Sequence, residues 1–250
     1  MRFSSLYVLM AVVLAAPNLE AGGQPVVPLP PSSPFKVLPE ITIGDPKAPV
    51  EIVMYFSPTC THCADYEGDV FPEIKEEFVE SGQVKFTMRL LPFHRLDYAV
   101  AKLIWSRGHK NVIELTQFFL AHQKDWLDPI LEEDPKKREK LLQGALKQTA
   151  EFLKMSIETL RDTLNIQDST EDIFVKLFAL RNGFTIKEIE NAAEADPNLE
   201  DALTANHLQA ASDFGKSLDY VPAFLVNGKV AKDWPKPAPL RKFLNKIETK

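Results

Sequence analysis

The sequence predicts an α/β protein in which a long run of helices interrupts a small mixed sheet. Three observations predict it. A strand, helix and strand pattern occupies about 40 residues from Glu51. About 115 residues of nearly unbroken helical spacing follow, and a strand–turn–strand–helix pattern closes the chain.

The chain starts with one positive charge at Arg2, an apolar run Leu6–Ala16, Pro17 and the small residues Ala21-Gly22-Gly23. This is the layout of a secretory signal peptide, residues 1–21, removed on export. The competing reading is an uncleaved anchor, but the run is short against the ~20 apolar residues a hydrocarbon core requires. No later apolar run is long enough to span a membrane. Residues 22–40 form a proline-rich linker, with six prolines from Pro25 to Pro39. Proline fixes φ and supplies no N–H, so this stretch reads as an extended spacer. The folded part begins near Ile41 and divides into residues 41–96, an inserted helical domain 97–214, and residues 215–250.

Glu51–Ser57 is mostly apolar, rich in β-branched and aromatic residues, and bounded by Pro49 and Pro58, the signature of a buried central strand. Cys60–Glu80 has helical spacing, with Tyr66, Val70, Ile74 and Phe78 at intervals of four and a break expected at Pro72. Gly82 ends it. Val84–Leu91 alternates Val84, Phe86, Met88 and Leu90 on one face of a second strand. Helices are expected over Asp97–Arg107, Asn111–Gln123, Pro135–Lys154, Ile157–Asn165, Thr170–Arg181, Ile186–Ala193 and Pro197–Phe214. Thr185 with Glu188 forms a capping box, and Asp196-Pro197 supplies an N-cap followed by proline. Pro222–Asn227 is a third strand, Asn227-Gly228 a hairpin turn into Lys229–Ala231, and Pro239–Glu248 a last helix.

Composition narrows the function. The chain has 250 residues, 29 Lys+Arg against 35 Asp+Glu, and a net charge of −6, an acidic balance that argues against nucleic-acid partners. Two cysteines make neither a disulfide scaffold nor a four-cysteine zinc site. They stand together in Cys60-Thr61-His62-Cys63, directly after the buried strand and opening a helix. Unpaired N–H groups and about half a positive charge at a helix start favour an anion, so Cys60 is the candidate nucleophilic thiolate. Cys63, one turn further in, suits the resolving role, and His62, when protonated, adds positive charge near Cys60. An inert bridge closing so small a loop would contribute only about 2 kcal/mol. A soft metal such as Cu(I) held by Cys60, His62 and Cys63 is the remaining alternative.

The stretch Tyr55-Phe56-Ser57-Pro58-Thr59-Cys60-Thr61-His62-Cys63 resembles the DsbA-like thiol–disulfide oxidoreductases of the thioredoxin superfamily. Tyr220–Gly228 is similar to that family's cis-proline strand and turn, and Gly44–Val50 to the segment before its first strand. The resemblance runs from about Ile41 to Ile247. It implies a thioredoxin-like fold with a large inserted helical domain, Cys60 as nucleophile, Cys63 as resolving cysteine, and a cis Val221-Pro222 peptide that meets the client chain. It also implies thiol-containing client proteins, a DsbB-like membrane reoxidising partner, a periplasmic setting, and no cofactor or bound metal. The expected activity is disulfide donation. Isomerase or reductase work on the same cysteines, or a Cu/Zn chaperone on the same scaffold, are the alternatives. One departure stands out: where relatives carry a buried acid six positions before the first cysteine, this chain has Met54.

Other candidates read as ordinary. His94 is expected at the surface or as a cap; His109, His122 and His207 share no ligand spacing. The basic run Pro135–Lys140 reads as a solvated helix face, and Asp65, Glu67 and Asp69 are expected to face solvent.

Overall fold

The computed structural model describes residues 40–165, 170–193 and 197–248. The expected signal peptide, the linker up to Pro39 and the Asp196 cap lie outside the described residues. Strands β1 (Ile41–Ile43), β2 (Val50–Phe56), β3 (Val84–Leu90), β4 (Ala223–Val226) and β5 (Lys229–Val230) form one sheet in the order β1-β3-β2-β4-β5. Central β2 runs parallel to β3, with Ile52 opposite Phe86, and antiparallel to β4, with Met54 opposite Phe224. Consecutive parallel strands need a crossover, here α1 (Thr61–Asp69), α2 (Phe71–Ile74) and a π-helical turn Lys75–Val79. The chain breaks at Val70, two residues before Pro72, which can neither donate an N–H nor fit its ring against the preceding turn.

Both faces of the sheet are covered. Ile52, Met54 and Phe56 pack among Tyr66, Phe71 and Phe86. Val53 and Tyr55 point the other way, against Ala210, Phe214 and Leu218. This double burial is why β2 is apolar at successive positions from Ile52 to Phe56 rather than alternating. On the second face the Tyr55 hydroxyl donates to Asp213 at 2.6 Å, and Arg89 pairs with Asp213 at 3.1 Å and Glu40 at 2.6 Å. Before β2, Gly44 takes φ +100°, and a Cβ there would stand 2.5 Å from the Val84 carbonyl oxygen. Only glycine fits.

Between β3 and β4 lie α3 (Arg95–Ser106), α4 (Val112–Ala121), α5 (Gln123–Leu131), α6 (Pro135–Leu153), α7 (Ile157–Thr163), α8 (Thr170–Arg181), α9 (Ile186–Ala193) and α10 (Pro197–Phe214). Among them, α3 packs on α9, and α8 on α5 and α6. Helix α11 (Pro237–Glu248) follows β5. Two elements were not expected from the sequence. β1 is three residues long, too short for a periodicity to register, and is held by antiparallel pairing to β3. α5 continues past the expected stop at Gln123 after a break at His122, and seats Trp126 and Leu127 in the core although it contains Pro129.

Candidate active site

The site is assembled at the exit of β2. Cys60 is the N-cap of α1: its backbone is extended (φ −80°, ψ 115°), and its carbonyl accepts from the N–H groups of Cys63 at 3.1 Å and Ala64 at 3.2 Å. The Cys60 side chain is half-buried, whereas Cys63 is wholly buried. The Cys63 thiol donates to the Cys60 sulfur, and this hydrogen bond is the main cause bringing the Cys60 thiol down to about 7. Burial opposes it. The backbone N–H groups of Cys63 and His62 help, and the His62 charge contributes least. Sequence reasoning credited the helix start and His62 and overlooked the partner thiol. Cys63 is pushed well above the usual thiol range, chiefly by burial and then by its hydrogen bond and charge interaction with Cys60.

The Val221-Pro222 peptide is cis, and the Cys60 thiol donates to the Val221 carbonyl oxygen at 3.2 Å. Val221 and Pro222, 161 and 162 positions after Cys60, therefore share its site. A groove of about 260 Å³ opens beside them, lined by His62, Tyr220, Val221, Pro222, Phe224 and Trp234. His62 is exposed and meets Trp234 edge-on, ring centres 6.2 Å apart. Tyr220 is 51% exposed, an unusual state for so large a ring.

Two polar residues around the site, Asp97 and Gln123, were missed, and a third, Glu67, was placed wrongly. Asp97, on α3, is fully buried. Its Oδ1 accepts from the Ser57 hydroxyl (2.7 Å) and from the Thr59 N–H (3.0 Å) and hydroxyl (2.8 Å). Its Oδ2 accepts from the N–H groups of Phe93 (2.9 Å) and His94 (3.0 Å). Gln123 donates to the carbonyls of Pro58 (2.7 Å) and Cys60 (2.9 Å), tying α5 to the cysteine turn. Glu67 contradicts the expectation that it faces solvent. It is 7% exposed, with Oε1 accepting from Gln117 of α4 at 2.7 Å and Oε2 without a hydrogen-bond partner among the described residues. Burial is the main cause raising its carboxyl to about 7. A signal was available for Glu67: it stands four residues after Cys63, on the same helical stripe. The Asp97 contacts with Phe93 and His94 are a local cap at the start of α3, but its reach to Ser57 and Thr59, like that of Gln123 to Pro58 and Cys60, is tertiary and left no signal.

The histidines outside the motif stay apart from the sulfurs. His94 is exposed at the start of α3. His109 lies in a short 3₁₀ turn, His122 pairs with Asp125 at 2.9 Å, and His207 bonds the Pro92 carbonyl at 2.7 Å.

The thioredoxin family model matches residues 36–246. A Rickettsia conorii protein named "Putative protein-disulfide oxidoreductase" is 32% identical over 88 residues, 35% of this chain and 32% of its own length. The chain therefore aligns with about a third of the length of that relative. Disulfide bond formation protein D of Bacillus subtilis is 24% identical over 168 residues, covering 62% of this chain and 75% of that protein. The crystal structure of Wolbachia pipientis alpha-DsbA1 superposes with a TM-score of 0.55 at 16% identity, covering 85% of this chain and 92% of that one. That likeness carries the fold: a thioredoxin-like sheet with helices inserted between its halves.

Proposed function

This chain belongs to the thioredoxin family in its DsbA-like form, and on that premise we propose that it is an exported thiol–disulfide oxidoreductase that donates a Cys60–Cys63 disulfide to folding proteins. The observation that carries the reading is the asymmetry of the pair: an accessible Cys60 thiol near 7 beside a buried Cys63 driven the other way. A low leaving-group pKa speeds release and stabilises the reduced protein, both of which favour oxidation of a client. The names of the Rickettsia and Bacillus relatives support the same chemistry.

In the proposed reaction a client thiolate attacks Sγ of Cys60, forming a mixed disulfide and breaking the Cys60–Cys63 bond. The electron pair leaves on the Cys63 sulfur, which takes up a proton. The client's second thiolate then attacks the client sulfur, closing the client disulfide and expelling Cys60 as a thiolate. The client loses two electrons and the pair gains them. Val221 offers its backbone beside the sulfur to an extended client segment, a sequence-tolerant mode of recognition. A DsbB-like, quinone-linked membrane partner returns the pair to the disulfide. The N-terminal signal-peptide layout supports export, which in a Gram-negative cell means the periplasm.

The test is the equilibrium constant with glutathione, together with Cys60→Ser. A potential well above thioredoxin's value of about −270 mV is expected, with activity abolished by the substitution. A value near thioredoxin's would make the protein a reductase, and activity retained by Cys60→Ser would remove the redox reading.

A further inference from the structure

Asp97 reaches the cysteine turn from α3, and the five donors on its carboxylate come from the two loops that frame the site. Ser57 is the link. Its hydroxyl donates to Asp97, its carbonyl accepts from the Cys60 N–H at 3.2 Å, and its backbone N–H donates to the Cys63 sulfur. We propose that Asp97 is a positioning residue for the cysteine pair, a buried anion that fixes the Ser57–Thr59 turn and slows the return attack of Cys63 on a client held at Cys60. The inference rests on the redox reading above.

Once a client is joined to Cys60, either its second thiol completes the client disulfide or Cys63 attacks Cys60 and expels the client still reduced. Only thiolates attack, so the second branch depends on ionisation of Cys63. In the free dithiol burial is the first obstacle to that ionisation, followed by Cys60, with the Asp97 charge a smaller contribution and the Ser57 N–H working against them. Once Cys60 is bonded to the client its own contribution is gone, and burial and Asp97 remain. His62, the remaining ionisable group of the turn, is exposed. A carboxylate linked to the Cys63 sulfur through Ser57 therefore gives the client time to finish. Removing the charge raises the thiolate fraction of Cys63 about tenfold per pKa unit, and the lower nucleophilicity of the more acidic thiol returns about threefold of that. For a fall of one unit the net change is about a threefold faster return attack.

The test is single-turnover. Reduced protein is mixed with oxidised glutathione, and the Cys60–glutathione adduct is followed to its displacement by Cys63, using acid quench and mass spectrometry. Asp97→Asn should discharge the adduct about threefold faster at pH 7, and Asp97→Glu, which keeps the charge, should stay near the wild-type rate. Equal rates in all three proteins, or equal acceleration in both variants, would overturn the proposal. Asparagine turns an N–H₂ toward the Phe93 and His94 donors and can destabilise the fold, so the wild-type pH profile provides a check without any variant. Its discharge rate should keep climbing above pH 9, and a plateau below pH 8 would contradict an impeded Cys63. If wild-type protein forms no adduct at all, the redox reading itself fails and this inference goes with it.

Discussion

Replacing Glu67 with glutamine should change how stability depends on pH. Glu67 is 7% exposed, one of its oxygens has no partner among the described residues, and burial raises its carboxyl from 4.5 to about 7. A folded-state value above the unfolded one means that the folded chain binds the extra proton between them. Stability is thus greatest below about pH 4.5, falls as pH rises toward 7, and levels off above it. A difference of about 2.5 units at 1.36 kcal/mol each corresponds to about 3 kcal/mol over the whole range, of which some 2–3 kcal/mol fall between pH 5 and 8. Glutamine can still accept from Gln117 but does not titrate. Urea unfolding of reduced wild-type and Glu67→Gln protein at pH 5, 6, 7 and 8 should show the variant gaining on the wild type by that amount. In melting temperature this is about 5–10 °C for a domain of this size. Other titrating groups are common to both proteins and cancel. A stability gap that stays constant with pH would refute the reasoning.

Cys63→Ala removes the thiol that most stabilises the Cys60 anion, so the Cys60 titration should rise by about one unit and mixed disulfides should accumulate on Cys60, visible by mass spectrometry. An unmoved midpoint would shift the credit to the helix start. Gly44→Ala forces a Cβ to within 2.5 Å of the Val84 carbonyl oxygen at a positive φ, and should cost about 2 kcal/mol or more in urea unfolding. Trp126→Ala, at a fully buried position in α5, should cost about 3–5 kcal/mol, and a loss below 1 kcal/mol would show that α5 is not integral to the core.

What could be read from the sequence followed from physics that acts locally. The β2 run, the Pro72 break and the Asn227-Gly228 turn declared themselves because strand burial, a missing N–H and positive φ each leave a mark on a few adjacent residues. The start of the helix Ile186–Ala193 and the end of the helix Pro197–Phe214 were legible through the Thr185–Glu188 capping box and the Gly215 stop. β1 was not, since three residues carry no period and its partner lies 43 to 47 positions away. α5 was hidden because Asp125, Asp128 and Pro129 look like loop chemistry, whereas Trp126 and Leu127 are held by tertiary packing. Within the site, the cysteines and the Val221-Pro222 pair could be named beforehand. Asp97 and Gln123 could not, because the reach of the carboxylate to Ser57 and Thr59, and of the amide to Pro58 and Cys60, spans 38 to 65 positions and leaves no mark on either local sequence.

The account stands on the acidity of one sulfur, and the most direct measurement is the thiolate absorbance of the reduced protein at about 240 nm as a function of pH, with Cys60→Ser as the reference. A first transition centred near pH 7 and missing from Cys60→Ser is predicted. A midpoint above about 8.5, that of an ordinary thiol, would contradict it.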